Sequence, residues 1–182
     1  MREIRAAAIA LVALSLAFGL AYPLAMTGVG QAVFGGDADP SLIGRDFSRD
    51  LSSFQSRPSA TEYSATATFF NNLGPNQKDL ADLLKANVKT YLDREQPTTP
   101  ALRAATIPSD AVTTSASGVD PDISEDNARI QANRVAERRG LDRARVMQLV
   151  DDHTSHPLLG LAGDGSVNVL ELNLALDRES TR

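Results

Sequence analysis

The chain has 182 residues, a formal net charge of -5, 42% hydrophobic residues and no cysteine. That length accommodates one soluble domain with a modest core. Without cysteine there is no disulfide, no thiolate metal site and no cysteine nucleophile. The first five residues carry a formal +1, so the remainder carries -6; an acidic domain of this kind is not expected to bind nucleic acid.

The N-terminal segment holds a large share of the apolar residues. No residue from Ala6 to Gly36 is charged, and within Ala6–Ala25 only Ser15 and Tyr22 carry polar side-chain groups. Twenty helical residues reach roughly 30 Å, the thickness of a bilayer's hydrocarbon core. Backbone groups in lipid must be satisfied within the segment, so a helix is expected. The reading places a cytoplasmic N-terminus at 1–5, an anchor helix at 6–28 and a soluble domain at 29–182. Arg2 and Arg5 precede the apolar run; Asp37 and Asp39 follow it, before the first cation, Arg45. The positive-inside rule then puts the N-terminus in the cytoplasm and the domain outside. Tyr22 suits the outer interface, and Pro23 is expected to bend or end the helix there. A cleaved signal peptide is the alternative, but the run is longer than a usual signal core and Pro23 lies where cleavage would fall. Both readings export the domain.

Residues 35–75 are rich in Gly, Asp, Ser, Thr, Asn and Pro and read as loops with short strands such as Thr61–Phe70. A helix follows. Asn76 is its expected cap, Asp79 sits in its first turn, and Leu80, Leu83, Leu84, Val88, Tyr91 and Leu92 recur at helical spacing. Pro97 and Pro100 close it. Ala111–Ser115 reads as a short strand leading into a turn at Gly118–Pro121. Ser124 caps a second helix with Glu125 and Asp126 in its first turn, and Arg138, Arg139 and Gly140 end it. A short third helix starts near Asp142 and presents Val146, Leu149, Val150 and His153. After a turn at Gly163–Gly165, Leu170, Leu172, Leu174 and Leu176 alternate with Glu171, Asn173 and Ala175. That is the period of a half-buried strand, expected over Ser166–Leu176. The expected fold is α+β: one N-terminal transmembrane helix followed by a single soluble extracytoplasmic α+β domain.

Few residues suggest chemistry. His153 and His156, with Asp151 and Asp152, have metal-ligand composition, but Pro157 argues that the helix is ending and a site needs three or four convergent ligands; no metal site is expected. Ser117, Asp120 and His153 could be written as a hydrolase triad, yet no G-x-S-x-G elbow surrounds the serine. No phosphate-binding glycine loop occurs. Arg129, Arg134, Arg138, Arg139, Arg143 and Arg145 fall within seventeen residues. A phosphate or a partner's carboxylates could dock there, although a solvated helical face with intrahelical pairs is the simpler expectation.

Taken in order, YPLAMTGVGQAVF, SLIG, FQSRPSA, NLGPN, RIQANRVAERRGL, LVDDHT and VNVLELNLALD resemble the C subunit of the bacterial Kdp potassium-transporting P-type ATPase, the KdpC family. The resemblance covers nearly the whole chain. Departures are Phe69, Phe70 and Asn71 in place of small residues, Ala116 for a glycine, Asp122 for a histidine and Arg45 for a glutamine. The resemblance implies a non-catalytic accessory subunit of an ATP-driven, high-affinity potassium uptake complex, anchored in the cell (inner) membrane. Its implied partners are a channel-like potassium-binding subunit, an ATP-hydrolysing subunit, a small membrane subunit and the lipid bilayer, with no nucleic acid. It implies no cofactor of the chain's own, but a role as catalytic chaperone that raises the ATP affinity of the hydrolysing subunit, with ATP shared at Gln131 and Arg134. The topology argued above puts those residues outside, where ATP is absent, and favours an outer domain over the potassium entrance that acts through coupling across the complex. Asp37, Asp39 and Asp46 could there raise local cation concentration, though a solvated face accounts for them as well. The alternative function is an anchored or secreted exported hydrolase or binding domain.

Overall fold

The computed structural model describes residues 2–34, 46–64, 67, 69, 71–156 and 165–180. The chain divides into two units, Met1–Leu42 and Ile43–Arg182.

The first unit is one long apolar helix: α1 (Arg2–Leu16), a wider π-helical turn (Ala17–Ala21) and α2 (Tyr22–Phe34). From Arg2 to Val33 it is long and apolar enough to cross a membrane, with none of its apolar window buried. The helix runs through Pro23 rather than ending there. A proline ring collides with the carbonyl four residues back and leaves it without a donor; here that residue is Gly19, inside the π turn, where the wider ring spacing makes room. The Thr27 hydroxyl bonds back to the carbonyl of Pro23, one turn earlier, at 2.9 Å.

The second unit is α+β. Its first helix, α3 (Lys78–Glu95), starts one residue later than the sequence suggests. Gln77, not Asn76, is the extended cap residue, and its Oε1 accepts from Gly74 N at 2.8 Å. Two short 3-10 turns, Ala104–Thr106 and Ser109–Ala111, follow. The second replaces the strand expected at Ala111–Ser115: Thr113 N and Oγ1 both donate to Ser109 O, which coils the segment. The strand expected at Thr61–Phe70 is likewise a turn where it is described, with Ser64 N donating to Thr61 O at 3.0 Å.

Strands β1 (Asp122–Ser124), β2 (Thr154–Ser155) and β3 (Ser166–Asn168) form a small antiparallel sheet in the order β1-β3-β2. Ile123 faces Val167, and Thr154 faces Val167 from the other side. Helices α4 (Glu125–Arg139), α5 (Arg143–Asp152) and α6 (Val169–Ser180) complete the unit. The caps at Ser124 and Gly140 form as expected: Ser124 Oγ accepts from Asn127 N and Gly140 adopts φ 64°; the helix expected to start near Asp142 is capped by it, with Asp142 Oδ1 accepting from Ala144 N. Leu141 N reaches back to Ala136 O at 3.0 Å, closing the turn into α5.

The alternating run 166–176 is not one strand. Only Ser166–Asn168 is extended, and Val169–Ser180 is helical. The buried side chains Val169, Leu172, Asn173 and Leu176 stand at i, i+3, i+4 and i+7, while Leu174 is 45% exposed. Alternate leucines suggest a strand, but Leu, Glu and Ala favour a helix, and the helical register gathers Val169, Leu172 and Leu176 on one buried face. One core joins these pieces: Phe54, Ile123, Ala128, Ala132, Val135, Val146, Val150, Val167 and the α6 positions. A smaller cluster of Tyr91, Leu102 and Ala111 lies under α3.

Candidate functional site

The most polar part of the interior lies along the inner face of α4, where Asn127, Gln131 and Arg134 are all at most 2% exposed. Spacings of four and three residues put them on one helix face. Each meets a partner from a different part of the chain. Asp110 accepts from Ser124 N, Ser124 Oγ and Asn127 Nδ2, at 2.7 to 2.9 Å, and so fixes the start of α4. Asn127 Oδ1 in turn accepts from the Tyr91 hydroxyl and from Gln131 Nε2, both at 2.9 Å. Burial pushes the Tyr91 hydroxyl well above its ordinary pKa, with the Glu95 carboxylate acting in the same direction, so it stays a donor.

Gln131 and Arg134 hold the segment 51–55, a turn at Leu51–Ser53 that leads into irregular chain at Phe54 and Gln55. Gln131 Oε1 accepts from Gln55 N at 2.7 Å, and its Nε2 donates to Gln55 O at 3.1 Å. Asn173 on α6 does the same to the preceding residue, at 2.8 and 3.0 Å from Phe54 N and O. Two amide side chains thus grip Phe54 and Gln55 as two neighbouring strands would. Arg134 Nη1 donates to Leu51 O and to Ser53 O, and Arg139 Nε donates to Ser52 O at 2.6 Å.

Arg134 is paired through Nε with both oxygens of Glu95, at 3.1 Å each, and Glu95 is fully buried. Glu95 Oε1 also accepts from Arg94 Nε at 2.7 Å. Burial lowers the Arg134 pKa; Glu95 pulls it back up and Arg94 pushes it down. The arginine-rich stretch is therefore not uniformly a solvated face. Arg129 does pair along its own helix with Glu125, and Arg145 pairs with Glu179 at 2.6 Å, but Arg134 belongs to the interior. Sequence reasoning missed this because an arginine's partner here lies 39 residues away.

A cavity of about 220 Å³ opens beside this centre. Its walls come from the 55–63 segment, which includes Arg57 and Tyr63, and from α3, which supplies Asn87, Thr90, Tyr91 and Arg94. Arg57 pairs with Asp120 at 3.1 Å and donates to Thr113 Oγ1 at 3.2 Å. The Tyr63 hydroxyl donates to Arg57 O at 2.7 Å, and burial pushes its pKa up to about 12.

The residues weighed for a hydrolase are not brought together. Ser117 Oγ lies 3.2 Å from Ser115 Oγ and accepts from Val119 N, Asp120 is bound to Arg57, and His153 Nδ1 sits 2.8 Å from Leu149 O at the end of α5. His156 is exposed beyond β2, and no group of three or more potential metal ligands occurs among the described residues. Asp37, Asp39 and Arg45 lie outside the described residues.

Residues 4–178 match the sequence model of a family described as KdpC, the K+-transporting ATPase c chain. The chain belongs to the KdpC family. It is 43% identical to a potassium-transporting ATPase KdpC subunit of Rhodopseudomonas palustris, covering 97% of this chain and 98% of the relative. A subunit of the same name from Bradyrhizobium diazoefficiens is 42% identical over the full length of both chains. One from Variovorax paradoxus is 45% identical, covering 96% and 95%. Within this KdpC chain, the family-derived positions Gln131 and Arg134 are 1% and 2% exposed, with their amide and guanidinium groups bonded to the domain's own backbone and to Glu95. That arrangement does not fit a nucleotide: a triphosphate would have to displace the buried residues 53–55 to reach them. The departure at Asp122 sits on β1, half-buried, with Ser166 Oγ donating to it at 3.3 Å.

Proposed function

We propose that this chain is the non-catalytic accessory subunit of an ATP-driven potassium uptake complex in the cell membrane. Its N-terminus lies in the cytoplasm, the helix Arg2–Phe34 is its anchor in the lipid bilayer, and its α+β domain is extracytoplasmic. It stabilises assembly with a channel-like potassium-binding subunit, an ATP-hydrolysing subunit and a small membrane subunit. It raises the ATP affinity of the hydrolysing subunit by coupling through the assembly rather than by touching nucleotide. The full-length match to potassium-transporting ATPase KdpC subunits carries the first part of this reading. The charge asymmetry about the apolar run supports the orientation. Indirect coupling is supported by the burial of Gln131 and Arg134, whose polar groups hold the 51–55 segment in place.

Two measurements test the reading. A cysteine at exposed Asn76 in the cysteine-free chain should react with a membrane-impermeant thiol reagent in intact cells. Reaction only after lysis would reverse the orientation and place the domain on the side of the membrane where ATP is. In the purified complex, omission of this chain should raise the KM for ATP of potassium-stimulated hydrolysis. An unchanged KM would remove the chaperone role and leave assembly alone.

A further inference from the structure

The cavity between the 55–63 segment and α3 carries an unbalanced cation. Arg57, on one wall, is matched by Asp120. On the other wall stands Arg94, which shares one carboxylate, Glu95, with Arg134, so this trio keeps a net charge of +1. Arg134 and Glu95 are inside the fold, at 2% and 0% side-chain exposure, whereas Arg94 keeps 18% and lines the cavity. Its Nε is used by Glu95, and its guanidinium lies 5.2 Å from the centre of the Tyr91 ring. Among the described residues, no hydrogen bond occupies its two terminal nitrogens, the pair that meets a carboxylate side-on. Asp46 and Glu62 stand at the cavity too, but both are exposed, where water screens them far more than it screens Arg94.

A second observation falls on the same cavity. Glu62 and Tyr63, consecutive and neither of them glycine, have φ of 50° and 59°. Two left-handed residues in succession are costly for side chains with a Cβ and concentrate at functional surfaces. Here they turn Tyr63 back so that its hydroxyl locks onto Arg57 O and its ring walls the cavity. At about 220 Å³ the space is below the range of roughly 300–1,000 Å³ typical of small-molecule sites; it suits one side chain.

We propose that this cavity is a docking socket for a single Asp or Glu side chain of a partner subunit, received by Arg94 between Tyr63 and Tyr91. The proposal rests on the reading of the chain as a subunit of a complex. The carboxylate completes a two-arginine, two-carboxylate arrangement and brings the charge of the trio to zero. Arginine is enriched among the few interface residues that carry most of the binding energy, and close charge pairs across an interface can couple strongly.

The test uses the whole complex, purified through a tag on the ATP-hydrolysing subunit. Two variants close the socket differently. Arg94→Glu reverses its charge. Thr90→Trp fills it from an exposed α3 position whose side chain makes no hydrogen bond among the described residues, leaving the Arg94–Glu95–Arg134 trio intact. Both should lower the amount of this chain retained by at least about tenfold, equal to about 1.4 kcal/mol, at low and at high salt. A photoreactive residue at Thr90 should cross-link to a partner peptide containing an Asp or Glu, and exchanging that acid for Arg should restore retention of Arg94→Glu. Retention of Thr90→Trp within about twofold of wild type, or cross-linking to lipid or to a peptide without an acid, overturns the socket. If even the wild-type chain fails to co-purify, the subunit reading itself fails, a distinct result.

Discussion

Gln131 pairs with Gln55 as a neighbouring strand would, accepting from its N–H at 2.7 Å and donating to its carbonyl at 3.1 Å from a single side-chain amide. No β-ladder holds residues 51–55; their peptide groups are met by Gln131, Arg134, Arg139 and Asn173. Removing the amide strands buried donors and acceptors on both sides. Gln131→Ala should therefore cost about 2–4 kcal/mol, since each buried polar group left unpaired costs about 1–3 kcal/mol. In thermal unfolding of the full-length chain this is a fall in Tm on the order of 5–15 °C. Asn173→Ala should act in the same direction, and the double variant should cost less than the two losses added, because both grip one segment. Strict additivity would show that the two clamps act independently.

The Arg134–Glu95 pair gives a sharper contrast. Both side chains are inside the fold, at 2% and 0% exposure. Losing one partner of such a pair leaves an uncompensated charge and costs about 3–5 kcal/mol, whereas replacing both by neutral groups of similar size is far cheaper. Arg134→Met should unfold the chain at a markedly lower temperature. Adding Glu95→Gln should recover part of that loss, although Arg94 then also loses its carboxylate. A double variant less stable than Arg134→Met would mean that Glu95 chiefly serves Arg94.

Much of the architecture was legible in the sequence, and the exceptions have physical causes. The apolar N-terminal helix and the caps at Ser124, Gly140 and Asp142 depend on local chemistry, and local chemistry is what a sequence displays. Ser166–Leu176 reads as a strand because its leucines alternate, yet from Val169 the chain is helical, and the core buries Val169, Leu172, Asn173 and Leu176 while Leu174 stays outside. Thr61–Phe70 and Ala111–Ser115 have strand-like composition, but Ser64 bonds back to Thr61 and Thr113 to Ser109 through backbone and hydroxyl bonds that no periodicity reveals. The candidate site was the least legible part. Gln131 stands out only by family resemblance and Arg134 only by that and by its place in an arginine-rich stretch, and their partners Gln55, Ser53 and Glu95 lie 76, 81 and 39 residues away. Arg94 and the paired left-handed residues Glu62 and Tyr63 leave no signal in composition at all.

Gly140 ends α4 with φ 64°, and a Cβ built there meets nothing within 4 Å. Substitution therefore brings backbone strain without a clash. Gly140→Ala should lower stability by about 1 kcal/mol, the usual cost of placing a side chain in the left-handed region. Gly140→Asn should lose less, because asparagine tolerates that conformation. Equal losses for both would indicate that the glycine matters for something other than its φ. The readout is again the melting temperature of the intact chain.

Asp122 carries a pH signature. Burial raises its carboxyl above the ordinary 3.8, and the neighbouring Asp120 and Glu171 push the same way, while the Ser166 hydroxyl opposes them. A carboxyl with a raised folded-state pKa binds its proton more tightly in the folded chain than in the unfolded one. The ionised form therefore weakens the fold at neutral pH, and that penalty fades as pH drops through the raised value. Below 3.8, where the group is protonated in both states, the penalty is gone. Asp122→Asn keeps an acceptor for Ser166 and removes the charge. It should raise the melting temperature near neutral pH, with the advantage over wild type shrinking steadily on acidification. An advantage independent of pH would assign the gain to packing on β1, and a loss of stability at neutral pH would show that the Asp122 carboxylate has a partner that favours its charge.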